Sequence, residues 1–283
     1  MFNILHTQIA LLQIQLLLAR INYVRDEVGR FARSVAHTVS EADAFDFPAD
    51  ELFENADIFD IYKHASKGRS QIGGVEIDGK RFFVKEVLHD EIDEGAAETV
   101  ASGVADAMGL GNNIIPAKKV VIKGQEMIAS HYMPGEALLG AGKSLRREID
   151  EAKARLMLLF DFTINNTDRH ADNIFLPDGG KPKLIDHGNS MKYELANEVD
   201  EADLVFKNNL LYDKILKFTP DSEFTKDEVE KAIAGVDKLQ QLAKQHFKDP
   251  QQLSNAMTGS SAIREHLKQM IETGNMKVKD IIL

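Results

Sequence analysis

Two polar clusters constrain this chain more than any other feature. The first runs Asn166-Thr167-Asp168-Arg169-His170-Ala171-Asp172-Asn173-Ile174, and the second is Leu184-Ile185-Asp186-His187-Gly188. They set Asp168 and Asn173 five residues apart, then place Asp186 at the end of an apolar strand just before a glycine. Transfer of a phosphoryl group from a magnesium nucleotide uses that set of groups: one to orient the attacking hydroxyl, and an Asn and an Asp to hold the metal. A capped turn after a core helix accounts for the first cluster taken alone, because Asn, Thr and Asp favour caps and turns. It leaves the distant Ile-Asp-His-Gly without a reason.

Each member has a chemical part to play. Asp168 can accept a hydrogen bond from a substrate hydroxyl, and His170 can stabilise the transferring phosphate or compete as the base. Asn173 offers an amide oxygen and Asp186 a carboxylate, both suited to a hard cation. Arg169 is expected to hold the loop through carboxylates or carbonyls, and Gly188 to let the chain turn sharply past the metal. A transition-metal site built from His170, Asp172 and His187 is the competing use of the same residues.

A lysine upstream completes the set. Gln71 to Ile77 and Arg81 to Leu88 flank Asp78-Gly79, a dipeptide that favours a tight hairpin turn. Alternation puts Phe83, Lys85 and Val87 on one face of the second strand and Phe82, Val84, Glu86 and Leu88 on the other. A lysine between two apolar neighbours is costly to bury without an anionic partner. Glu98, in a helix predicted over Asp93 to Met108, is the best candidate for that partner, and Glu94 is the rival. The plainer alternative is a snorkelling lysine on an exposed face. Before the hairpin, Ser66-Lys67-Gly68-Arg69-Ser70 stands where a phosphate-covering loop belongs; Ser66, Gly68 and Ser70 with the backbone amides could cradle phosphate, although an ordinary turn would look much the same.

The rest of the chain supplies the frame. Strands are predicted near Lys118 to Ile122 and Glu126 to Tyr132 around Lys123-Gly124, with Met133-Pro134-Gly135 as a linker. Helices follow over Arg146 to Ile164, Thr225 to Phe247 and Ser260 to Thr273. A strand-rich first half joined to a helical second half is an α+β, two-lobed architecture. It divides into residues 1–57 (a helical extension and acidic connector), 58–133 (an antiparallel-sheet lobe) and 134–283 (a mainly helical lobe). Ile4 to Ile21 is apolar but broken by His6, Gln8, Gln13, Gln15 and Arg20, so a helix buried against the body or a partner is expected rather than a membrane span. Interfacial membrane contact is the alternative. From Glu41 to Asp60 every charged residue is acidic, with Phe45, Phe47, Phe53 and Phe59 interleaved. This reads as a solvated connector or, alternatively, a regulatory segment for a basic or substrate groove.

With these residues assembled, the chain resembles the protein-kinase-like superfamily, in particular its phosphatidylinositol 3- and 4-kinase-like branch. That branch carries Asp-Arg-His-x-x-Asn, matched by Asp168, Arg169, His170 and Asn173. The HipA-type bacterial kinases are similar in layout. The resemblance spans roughly residues 58 to 215 and implies a protein-kinase-like fold using ATP and Mg2+. It implies that Lys85 contacts phosphates and Glu98 pairs with it, and that Asp168 and His170 do acid–base and charge-stabilising work. Asn173 and Asp186 would ligate magnesium, while Ile128 to Tyr132 and Met133 would offer backbone groups to adenine. Two departures stand out: Asp-His-Gly replaces Asp-Phe-Gly, and no Ala-Pro-Glu anchor follows.

Charge bears on partners and acceptor. A net charge of -11 disfavours nonspecific binding to nucleic acid or anionic membrane. The absence of cysteine excludes disulfides and thiolate chemistry and fits a reducing, cytoplasmic setting. Between Gly188 and Val205, Glu194, Glu198, Asp200, Glu201 and Asp203 face only Lys192, which would repel an inositol-lipid headgroup. A protein Ser/Thr hydroxyl is therefore the favoured acceptor. The alternatives are a lipid or small-molecule kinase, an AMP-transferring enzyme, or an inactive nucleotide-binding pseudokinase. The N-terminal helix is a candidate surface for a partner or self-association.

Overall fold

The computed structural model describes residues 47–62, 72–87, 93–138, 149–166, 168–191, 211 and 221–281, all within one compact unit, 40–283. The expected N-terminal helix, most of the acidic connector, the Ser66–Ser70 loop and the acidic stretch after Met191 lie outside these residues. The described part is α+β: a small antiparallel sheet followed by a helical C-terminal part.

A short helix α1 (Asp50–Glu54) leads into β1 (Phe59–Tyr62), β2 (Ile72–Ile77) and β3 (Lys80–Glu86). Helix α2 (Glu94–Ala107) then intervenes before β4 (Ala117–Ile122) and β5 (Gln125–His131). The sheet order is β1-β2-β3-β5-β4, antiparallel throughout. Both tight hairpins turn on left-handed pairs, Asp78-Gly79 (φ 52° and 74°) and Lys123-Gly124 (φ 51° and 81°). These are the conformations whose twist matches the flanking strands. One sheet face buries Val75, Phe82, Val84, Val120, Ile122, Met127 and Ala129 around Phe53 of α1. The other face carries Lys85. Helix α2 packs on β4 and is tied there by Ser102, whose hydroxyl accepts from the Ala117 amide at 2.9 Å.

The chain then changes character. The expected linker contributes a strand: β6 (Gly135–Ala137) pairs with β7 (Ile174–Pro177), which pairs with β8 (Lys183–Leu184). At Gly135, with φ 151°, an added Cβ would strike the Leu176 carbonyl oxygen and the Phe175 ring. Gly135→Ala is therefore expected to cost about 1–3 kcal/mol through overpacking, read as a lower melting temperature by circular dichroism. Helix α3 (Glu151–Thr163) is buried almost all round from Leu156 to Thr163, so it is the central post of the helical part. It starts later than the apolar pattern predicts because Asp150 caps it, accepting from the Lys153 amide. Helix α4 (Lys226–His246) opens with a Thr225–Glu228 capping box. Helix α5 (Pro250–Thr273) begins ten residues before the expected start, set by the Asp249 cap and Pro250 in its first turn, and closes at Gly274 (φ 69°). No helix among the described residues is long and apolar enough to cross a membrane.

Candidate active site

The two polar clusters are the outer ends of one hairpin. Strand β7 starts immediately after Asn173, and β8 ends two residues before Asp186, with Ile174 opposite Leu184. The Ile185 amide donates to the Asn173 carbonyl at 3.1 Å, so residues distant in sequence become neighbours by strand pairing alone. A parallel bridge from Ile114 to Leu184, with the Ile115 amide on the Leu184 carbonyl at 3.0 Å, ties this hairpin to the segment leading into β4.

Arg169 locks the arrangement. It is buried and makes a forked ion pair with Asp161 of α3, Nε to Oδ2 at 3.0 Å and Nη2 to Oδ1 at 2.9 Å. Its Nη1 donates to the carbonyls of Asn173 at 2.8 Å and Ile185 at 2.7 Å, and Nη2 reaches His187 Nδ1 at 3.0 Å. One guanidinium thus holds both loops and the helix behind them, an arrangement its planar set of donors suits. Asn166 adds a local turn, its Oδ1 accepting from the Asp168 amide at 3.0 Å and its amide reaching Asp161.

Asp168 and His170 reach the surface side by side, His170 Nε2 3.7 Å from Asp168 Oδ1. His170 Nδ1 accepts from the Asp172 amide, which leaves the proton on Nε2, facing Asp168. Asn189, which sequence reasoning passed over, donates to Asp168 Oδ2 at 3.2 Å and fixes its rotamer. The Asn173 amide nitrogen donates to the Asp168 carbonyl at 2.8 Å, leaving its Oδ1 without a donor among the described residues.

Asp186 carries the unusual backbone: its φ is +56°, whereas Gly188 has no positive φ. The sharp turn expected at the glycine therefore falls on the aspartate, a residue type that tolerates the left-handed region. Gly188 is needed for space instead, since an added Cβ would sit 3.2 Å from Glu94 Cβ. His187 turns inward, fully buried and edge-on to Phe160 with ring centroids 5.3 Å apart. Burial, then the Arg169 charge, holds its pKa well below the usual histidine range. It is thus a neutral core residue facing away from any site shared with His170 and Asp172, which removes the transition-metal alternative.

Lys85 is tied into the cluster. Its ammonium bonds Asp186 Oδ1 at 3.0 Å and lies 3.8 Å from Glu94 Oε2. The direct helix partner is therefore Glu94, the rival in sequence, rather than Glu98. Burial disfavours the Lys85 charge, but Asp186, Glu98 and Glu94 together raise its pKa above the ordinary value. Glu98 acts one step back, accepting from the His187 amide at 2.9 Å.

Burial foremost, then the Asp186 charge, pushes the Glu98 carboxyl up to about 7 against Lys85, the His187 amide and Arg169. A carboxyl raised in the native state lowers stability as pH climbs from its unfolded value of 4.5 to about 7, and the loss is complete above that. Glu98→Gln keeps an acceptor for His187 but cannot ionise. Its urea midpoint relative to wild type should rise between about pH 5 and about pH 8. A constant difference across that window would contradict the assignment.

The cluster forms the polar end of a cavity of about 260 Å³. Lys85, Glu98 and Asp186 line that end, and elsewhere Ile115, Ala117, Ile128 and Met133 share the lining with Ser130 and His131. The Tyr132 amide is taken by the Arg81 carbonyl, whereas the backbone N–H and C=O of Met133 are unbonded among the described residues. Ser66, Gly68 and Ser70 lie outside the described residues. No group of three or more His, Cys, Asp or Glu side chains among the described residues could hold a metal alone. Magnesium bound through substrate phosphates needs only one or two protein oxygens, and the unclaimed Asn173 Oδ1 with the Asp186 carboxylate fits that requirement.

No known family profile matches this chain, and no curated protein matches it. Among solved structures it is similar to a proinflammatory kinase, CtkA, of Helicobacter pylori, with a TM-score of 0.49 and 13% identity over 76% of this chain and 94% of that one.

Proposed function

We propose that this chain is an ATP- and Mg2+-dependent phosphotransferase of the phosphatidylinositol-kinase-like type, acting on a protein Ser/Thr hydroxyl in the cytoplasm, with a small lobe over 58–133 and a larger one over 134–283. The observation that carries the reading is the Lys85–Asp186 ion pair lining one cavity, with the backbone of Asn173 bonded to Ile185 beside Asp186. Asp168, steadied by Asn189, orients the acceptor hydroxyl and takes up its proton. His170, whose proton-bearing nitrogen faces the same carboxylate, stabilises the phosphate being transferred by donating a hydrogen bond to it. Lys85 holds the phosphates, Asn173 and Asp186 hold the magnesium, and Ser66, Gly68 and Ser70 cover the triphosphate. Magnesium, when bound, neutralises charge on the phosphate oxygens. The Met133 backbone, with its neighbour Tyr132, marks the base end of the cavity.

The acidic stretch after Met191 favours a protein or cationic acceptor over an anionic lipid headgroup. Purified protein incubated with ATP labelled at the γ or the α position, together with a lysate protein fraction or inositol lipids, tests both halves of the reading. Label from the γ position is expected in protein. Label only in lipid would overturn the acceptor, and label from the α position would identify nucleotidyl transfer instead.

A further inference from the structure

Helix α2 lies between two strands in sequence, yet its apolar face belongs to the helical part. Ala97, Val100 and Val104 share one core with Ala232, Val236 and Leu239 of α4. Two glycines stand where these helices meet. A Cβ on Gly103 of α2 would strike Leu242 Cδ1 of α4, and one on Gly235 of α4 would lie 2.7 Å from Met108 Cγ at the end of α2. A glycine of each helix thus receives a long side chain of the other. Glycine inside a helix costs about 0.5–1 kcal/mol relative to alanine, so this close approach is what each glycine is for. One such socket limits how near two helices come; two of opposite sense also fix the sliding of one along the other.

The remainder of α2 is held as firmly. On its sheet side the Thr99 and Ser102 hydroxyls accept from the Lys119 amide at 3.0 Å and the Ala117 amide at 2.9 Å. At its start the Asp93 amide donates to Gln252 Oε1 of α5 at 3.3 Å. Helix α4 is in turn anchored to α3 by a fork from Arg155 to Glu228, Nε to Oε2 at 3.1 Å and Nη2 to Oε1 at 3.0 Å. Helix α3 therefore fixes both halves of the site: the two loops through Asp161 and Arg169, and α2 through Arg155 and α4.

We infer that α4 is a positioning element: through the Gly103–Leu242 and Gly235–Met108 sockets it sets where α2 holds Glu94 against Lys85. The inference rests on the phosphotransferase reading above and adds positioning residues that line no part of the cavity. Gly103 lies about 13 Å along the helix from Glu94. Glu94 Oε2 is 3.8 Å from the Lys85 ammonium, already at the outer range of an ion pair. A displacement of one helical rise, about 1.5 Å, is enough to break it. Misplacement by about 1 Å at a reacting centre costs up to about 100-fold in rate, even when the change is made far from the chemistry.

Gly103→Leu puts a better helix former at the socket, so any loss comes from the wedge it drives between the helices. Phosphoryl transfer by the folded variant, assayed well below its melting transition, is expected to fall about 10- to 100-fold. Acylation of Lys85 by acetic anhydride, followed by peptide mass spectrometry, is expected to quicken, because an ammonium that loses a carboxylate neighbour gives up its proton more readily. Gly103→Leu/Leu242→Ala moves the bulk to the other side of the same contact and is expected to recover both readouts. In a Glu94→Gln background Gly103→Leu should lower transfer little further, since two changes acting on one contact are not additive. Gly103→Ala should move both readouts the same way by less, and is read in place of Gly103→Leu should that variant not fold. Unaltered transfer and Lys85 reactivity in the folded variant would overturn the clamp and leave the phosphotransferase standing. So would losses that simply add in the Glu94→Gln background. An unaltered protein that transfers no phosphate would overturn the functional reading, and Lys85 acylation in Gly103→Leu then decides the clamp by itself.

Discussion

Asp186→Asn is expected to lower phosphoryl transfer at least about 100-fold while leaving the melting temperature within a few degrees of the starting protein. The choice of asparagine matters. Residue 186 sits at φ +56°, which Asn adopts as readily as Asp, so the backbone survives the exchange. Alanine there would add strain and confuse the result. The side chain is half exposed, and its pairing with Lys85 is worth at most about 1 kcal/mol to folding at such a site. What the substitution removes is the carboxylate proposed to share a cation with Asn173. Activity assayed over a range of magnesium should show the loss persisting at saturation. Unchanged turnover would remove Asp186 from the chemistry.

Arg169→Met has the second large consequence, and it falls on stability. Asp161 and Arg169 are both wholly buried, so removing the cation strands a carboxylate in the core behind α3. Breaking a buried pair from one side costs about 3–5 kcal/mol. For a domain of this size that lowers the melting temperature by roughly 6–20 °C. The double variant Asp161→Leu/Arg169→Met should recover part of the loss, because an apolar pair replaces the stranded charge. Recovery should be incomplete, since the Asn173 and Ile185 carbonyls lose their donor in both variants. A single variant melting within about 2 °C of the starting protein would show that this pair does not hold the loops.

Much of this arrangement was legible before any coordinates, where one local rule decided the outcome. Asp78-Gly79 and Lys123-Gly124 each dictate a hairpin through their left-handed pairs, and the resulting strand alternation sends Lys85 to the face opposite Phe82 and Val84. The role of Arg169 as a tie between loop carbonyls and a carboxylate was also readable from its charge within an otherwise turn-forming loop. What remained hidden depends on tertiary neighbours. Asp161 ends an apolar helical run, and sequence alone cannot say whether such an acid meets solvent or a buried guanidinium. Glu94 and Glu98 are one helical turn apart, so pattern cannot choose which of them touches Lys85 and which caps the His187 amide. Gly188 looks like a turn residue, yet its need is the close approach of Glu94. The early start of α5 was missed because its first ten residues hold only Leu253 and Met257 as large apolar residues and include Gly259, although Asp249-Pro250 was a usable start signal.

The central claim is that Asn173 and Asp186 share one divalent ion beneath a nucleotide held by Lys85. The most direct measurement is a crystal structure of the protein with manganese and a nonhydrolysable ATP analogue, read by anomalous scattering. A single manganese peak bonded to both Asn173 Oδ1 and an Asp186 carboxylate oxygen, with Lys85 released from Asp186 onto phosphate, is the expected result. A nucleotide bound elsewhere, or a manganese ion that neither residue touches, would contradict the account.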